Sequence, residues 1–228
     1  MLTMSCSAEL RLDRALARRY RWPRDFPGFE ASARLSPGAD AGSAVDAVVR
    51  VPTSGAPHLL APIDAADASM AGSDPCGAAR VELLAAIDGL VDGLRRPWVL
   101  QACLPWPKQS EQLKAGRGEL PRVADPARTT LRLTDGHLAE VHRDRGDHRV
   151  AWRIDRWFAA PGGRVVPASM LVTVDDRTTG RALWFERVND EYDVVDGVLV
   201  PTRRRTVRWL DHRRGTTELR LMVPTVVR

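Results

Sequence analysis

Six histidine and carboxylate side chains crowd into residues 137–148: His137, Glu140, His142, Asp144, Asp147 and His148. Imidazole beside carboxylate is the pairing used by general acid/base chemistry, because histidine changes charge near neutral pH and a carboxylate orients it. The same groups also hold zinc or iron. On an extended chain Leu138, Glu140, His142 and Asp144 share one face, while His137, Ala139, Val141 and Arg143 share the other. Glu140 and His142 are therefore same-face neighbours, and His148 can join them across a turn at Arg145-Gly146. Three readings stand side by side: a divalent-metal site, acid/base chemistry by His142 with a carboxylate, and a polar, solvated hairpin. No H-E-x-x-H and no fixed cysteine spacing supports the first, and no metal is assigned.

The aromatic residues offer a different chemistry. Seven tryptophans stand against two tyrosines. Trp152 keeps step with Val150 and Ile154, and Trp184 with Ala182 and Val188, so both face the richer apolar side. Trp157 and Trp209 interleave with arginines. Tyr20, Trp22, Phe26 and Phe29 form an aromatic block, read either as a staple that fixes a helix to a sheet or as a pocket mouth where the Tyr20 hydroxyl donates to a ligand. Trp22, Phe26, Trp152, Trp184 and Tyr192 are the candidate ligand-contacting rings. A cavity lined by indoles with an arginine at its rim suits a flat, partly anionic ligand; the plainer alternative is that the indoles fill a wide core. In an enzymatic version His142 is the acid/base, Arg143 holds an anion and Tyr20 donates. Nucleophile elbow, P-loop, dinucleotide fingerprint and EF-hand loop are all missing, and no cofactor is assigned.

Composition narrows the classes. The chain has 228 residues with 34 Lys+Arg and 29 Asp+Glu, and is 44% hydrophobic. That describes a globular protein long enough to bury a large core without disulfides or structural metal. No apolar run reaches the ~20 residues of a membrane span, and residues 1–20 carry charges where a signal peptide needs an apolar stretch. The expectation is a cytoplasmic protein without membrane insertion. Cys6, Cys76 and Cys103 are odd in number and far apart, as reduced thiols are. Nearly all the basic residues are arginine, which with abundant Ala, Gly, Pro, Asp and Val fits a high-GC genome. Residues 40–93 are net acidic and 141–228 net basic, but neither is a single-sign block. Arg203-Arg204-Arg205, running on to Arg208 and Trp209, mixes base with aromatic. Without a recognisable module it reads as a solvated strand face, and no nucleic-acid partner is assigned.

The elements that must position these groups form one domain over 1–228. Helical spacing of Leu10, Leu12, Ala15 and Leu16 predicts a helix over 8–20, with Ser7 as its N-cap. Strands follow over about 29–51, with a turn across Pro37 to Gly42, and then a Pro/Ala/Ser/Gly-rich loop over 52–79. A second helix is predicted over 81–96, carrying Leu83, Leu84, Ile87 and Val91 on one face and stopping at Pro97. An antiparallel meander occupies 98–225. Its turns are Asp135-Gly136, Pro161-Gly-Gly163, Asp175 to Gly180 and Asp196-Gly197. Strands are expected at 181–188 and again at 192–195. The fold class is α+β: a large curved antiparallel sheet, a half-open barrel, with two main helices on its concave side.

The block Tyr20-Arg-Trp22-Pro-Arg-Asp-Phe26-Pro-Gly-Phe29 resembles the opening of the domain-of-unknown-function family 3386. Val141-His142-Arg143, Thr179-Gly180 and Val195-Asp-Gly-Val-Leu-Val-Pro-Thr202 agree with it in order. The last is shared by proteins similar to the lipoprotein carriers LolA and LolB. This wider resemblance implies a half-open antiparallel barrel whose hydrophobic mouth is plugged by helices. The Pro-rich residues 101–128 depart from the pattern. Those carriers act in the periplasm, so without an export signal lipoprotein transport does not carry over. Together these readings lead to a cavity protein that binds a small hydrophobic or aromatic molecule. A cofactor-independent cyclase, isomerase or lyase is the alternative, and a structural or partner-binding module a third.

Overall fold

Two Asp-Gly pairs close hairpins as their types demand. Asp135 and Gly136 take φ of 52° and 75°, Asp196 and Gly197 φ of 50° and 77°. Two successive positive φ values make the tight turn whose twist matches the flanking strands, and glycine accepts the second position without strain. In the computed structural model, which describes residues 6–37, 44–60, 75–95, 129–145, 147–210 and 213–227, such turns string the chain into one open antiparallel sheet. Its strands are β1 (Phe29–Pro37), β2 (Val45–Val51), β3 (His58–Leu59), β4 (Thr129–Thr134), β5 (His137–Arg145), β6 (His148–Ala160), β7 (Arg164–Asp176), β8 (Ala182–Val195), β9 (Val198–Leu210) and β10 (Arg213–Val226). They lie in the order β3-β2-β1-β10-β9-β8-β7-β6-β5-β4. The run β4 to β10 is a meander, and β10 then pairs with β1, so among the described residues β3 and β4 are the edges of a half-barrel-like sheet. Strand outweighs helix heavily.

The two α-helices among the described residues are α1 (Cys6–Ala17) and α2 (Pro75–Arg95). α1 ends before residue 20 because the chain leaves it to meet β7: Val165 N donates to Arg18 O (3.0 Å) and Tyr20 N to Val165 O (2.9 Å). α2 begins at Pro75, earlier than 81. Proline suits a first helical turn, where its missing N–H would find no partner anyway. Among the described residues no helix is long and apolar enough to cross a membrane.

β8 is one strand rather than two. The polar stretch Asn189-Asp190-Glu191 stays in the sheet because β9 sets an arginine opposite each residue: Arg205, Arg204 and Arg203. The arginine run is partly solvated, with Arg205 and Arg208 exposed, and partly engaged in ion pairs. Arg203 pairs with Glu191 (3.1 Å) and Glu218 (2.7 Å), Arg204 with Asp190, and Arg208 with Glu186. The start of the meander before residue 129, Pro97, Trp98, Trp106, residues 38–43 of the first turn and Gly146 lie outside the described residues.

Apolar side chains gather in two clusters. The first joins Leu83, Ile87, Leu90, Val91 and Leu94 of α2 to Phe29, Val49, Val51, Leu199, Leu219 and Leu221 of the sheet, together with Tyr20, Trp22 and Phe26. The second holds Leu138, Val141, Val150, Trp152, Ile154, Val172 and Val174, with Leu12 of α1, Trp157 and Trp184 packed against it.

Candidate functional site

Strict alternation along β6 puts Val150, Trp152 and Ile154 on the buried face. It then breaks. The pairing with β7 slips between Ile154 and Arg156 and again between Arg156 and Trp157. A third slip, between Glu191 and Tyr192, interrupts β8 against β9. Bulges of this kind re-aim side chains locally. Here they accompany a half-open cleft of about 320 Å³ lined by Arg156, Trp157, Phe158, Ala168, Asp190, Glu191 and Tyr192. The cleft lies at the seam of the two apolar clusters: Phe158 and Tyr192 belong with the first, Trp157 with the second.

Its aromatic wall is held in place. Phe158 and Tyr192 rings sit 5.6 Å apart, tilted by 47°, and Trp157 leans on His137 at 5.4 Å. The Tyr192 hydroxyl donates to Pro167 O at 2.9 Å and lies 3.4 Å from Asp190 Oδ2. Burial, reinforced by the Asp190 charge, pushes the Tyr192 phenol well above the ordinary tyrosine range, so the hydroxyl stays a donor. Asp190 is clamped in turn by Arg204, with Nε at 2.8 Å and a terminal nitrogen at 2.7 Å. Burial works to lower the Arg204 guanidinium, but Asp190 outweighs it and the net direction is up. Nearby Arg19 is buried, and desolvation pulls its guanidinium down to about 10.

Further along the same face of β8, Glu186 accepts from Arg208 Nε at 2.7 Å, and the Arg208 guanidinium sits 5.6 Å from the centre of the Trp184 ring. Asp190 and Glu186 are both only 7% exposed. Buried carboxylates are tolerated when such partners compensate the lost hydration. One cation of the cleft stands apart: Arg156 is exposed, and among the described residues its guanidinium has no carboxylate partner.

The residues singled out from sequence are distributed differently. Tyr20 and Trp22 clasp a single residue of β9: Leu199 N donates to the Tyr20 hydroxyl (3.0 Å), and Trp22 Nε1 donates to Leu199 O (2.8 Å). Trp22 also packs against Phe26 at 5.0 Å and Phe29 at 6.0 Å. That block is a staple, with its polar atoms spent on backbone. Trp152 is buried in the second cluster, Trp184 lies beneath Arg208, and Tyr192 alone of the five proposed ligand-contacting rings lines the cleft.

His142 and Arg143 are successive residues of β5 and point to opposite faces; Arg143 is 7% exposed, whereas His142 is half-buried on the other side. The Tyr20 hydroxyl is bonded to β9, which is separated from β5 by β6, β7 and β8. The three are not brought together, and no histidine lines the cleft. His142 Nε2 lies 3.2 Å from Glu140 Oε2, a contact that lowers the Glu140 carboxyl below its usual range. Asp144 instead bonds Arg149 at 2.9 Å. Among the described residues no group of three or more His, Cys, Asp or Glu could hold a metal ion.

Arg156, Trp157, Phe158 and Asp190 were missed by sequence reasoning. A signal for three of them was present: adjacent Trp157 and Phe158 cannot both continue the alternation of Val150, Trp152 and Ile154, and such a break of parity marks a bulge. Comparison with known proteins finds no family model, no curated protein and no solved structure that matches this chain.

Proposed function

We propose that this chain is a cytoplasmic cavity protein that binds a small hydrophobic or aromatic molecule in the cleft between β6 and β8. The observation that carries this reading is the cleft itself: three rings, Trp157, Phe158 and Tyr192, line an opening of about 320 Å³. That is the lower end of the ~300–1,000 Å³ usual for small-molecule sites. Apolar walls with a few fixed polar groups are what such a site needs, and Tyr192 and Asp190 are already locked by bonds of their own. In this reading the sheet is the half-open barrel implied by the resemblance to domain family 3386 and to LolA/LolB-like carriers, with both helices on its concave side.

The test is a titration of intrinsic tryptophan fluorescence with a panel of aromatic and aliphatic compounds. A saturable change with at least one member, reduced in Trp157→Phe, is expected. No saturable response to any member would overturn the reading.

A further inference from the structure

Charge bookkeeping around the cleft narrows the class of ligand, on the premise that the cleft is a binding site. Two of its lining residues are acids, yet each is answered by an arginine of β9: Asp190 by Arg204 through two bonds, and Glu191 by Arg203 at 3.1 Å. Nothing among the described residues answers Arg156. The β6 irregularity sets that arginine next to Trp157 at the cleft. Asp155, its nearest carboxylate in sequence, is already engaged by Arg153 (2.8 Å) and Arg187 (3.3 Å). The two acids of the lining are thus answered from β9, and Arg156 is left as the lining charge without an opposite partner among the described residues, a planar fork of donors beside aromatic rings.

A guanidinium of this kind matches a carboxylate geometrically, through two parallel N–H to O bonds, and charge-assisted bonds are about twice as strong as neutral ones. An amine ligand would meet only carboxylates whose partners it must displace. We propose that the cleft takes an aromatic monocarboxylate, its carboxylate on Arg156 and its ring system against Trp157 and Phe158. The small volume disfavours a long acyl chain, and the rings offer edge and face contacts that a flat body uses best.

Isothermal titration calorimetry of the full chain with naphthoate, naphthamide, naphthylamine and decanoate tests this. The expected result is naphthoate binding about tenfold tighter than naphthamide, the size of one exposed charge-assisted bond, with decanoate and naphthylamine weaker still. Added salt should weaken naphthoate and spare naphthamide. Arg156→Gln should bring naphthoate down to the amide, while Arg153→Gln, which removes an arginine engaged with Asp155, should leave it unchanged. Arg156 is exposed, so its replacement leaves the fold intact. Equal binding of acid and amide, tightest binding of the amine or of decanoate, or an unaltered naphthoate affinity in Arg156→Gln would overturn the proposal while leaving a ligand-binding cleft in place. An equal loss in Arg153→Gln would overturn it too, as general charge attraction. Absence of binding by all four, together with a silent fluorescence panel, would remove the binding site itself.

Discussion

The apolar cluster around Phe29 and the one around Trp152 grow from a single sheet, yet they are finished differently. In the first, Phe29, Val49, Val51, Leu83, Ile87, Val91 and Leu199 are all fully buried. α2 supplies a full apolar stripe, and the Tyr20–Trp22 clasp on Leu199 spends the polar atoms of two large rings. In the second, only Val141 reaches zero exposure, while Trp152, Ile154 and Val174 keep 8%, 7% and 6%. From α1 it receives Leu12, only half-buried. Ion pairs and indoles share its margin. One cluster is closed packing, the other leaves ring surface at its border, and the cleft opens where they meet.

Urea denaturation of paired variants breaks the comparison most sharply. Phe29→Ala empties a fully buried site in the closed cluster and should cost ~3–5 kcal/mol. Trp184→Ala, at the partly exposed margin of the other, should cost about 1–2 kcal/mol, less than full burial of such a ring would bring. Equal losses would mean the two clusters are equally packed.

The seam comes next. Asp190→Ala leaves Arg204 beside a buried face without its two-bonded partner and should destabilise by about 3 kcal/mol, with part of the loss recovered in Asp190→Ala/Arg204→Met. A double variant as unstable as the single one would locate the cost in lost packing instead of stranded charge.

The smallest effect is read at high pH. Tyr192 is one of only two tyrosines, and its folded value is raised above the ordinary 10. Its contribution is complete below about 10, where folded and unfolded chains both keep the proton. It is lost as pH climbs past that value, because the unfolded chain releases the proton first. Tyr192→Phe should cost about 1 kcal/mol at neutral pH through the bond to Pro167. It should also flatten the alkaline fall of the denaturation midpoint. An equally steep fall in the variant would assign that loss to other groups.

Much of the architecture follows from local chemistry. Asp135-Gly136 and Asp196-Gly197 turn where they do because glycine accepts positive φ. Val166, Ala168, Met170, Val172 and Val174 share a face because a strand repeats every two residues. The second helix was readable from Leu83, Ile87 and Val91, all buried, and the register of Trp152 from its neighbours. The candidate site was far less so. His142 and Arg143 looked like partners by proximity, yet adjacency in a strand is the arrangement that separates them.

Sequence alone determined the strand periods, the turns, the helix faces and hence a meander with two helices, because these depend on neighbours a few residues apart. Tertiary structure decided which arginines found acids, which aromatic rings became staples and where the cleft lies. Tyr20 acts on Leu199 and Arg204 on Asp190, and those encounters are set by strand order and register. The β6–β7 register slips at Arg156 and recovers at Trp157, so the fate of Arg156 rested on pairing across the sheet.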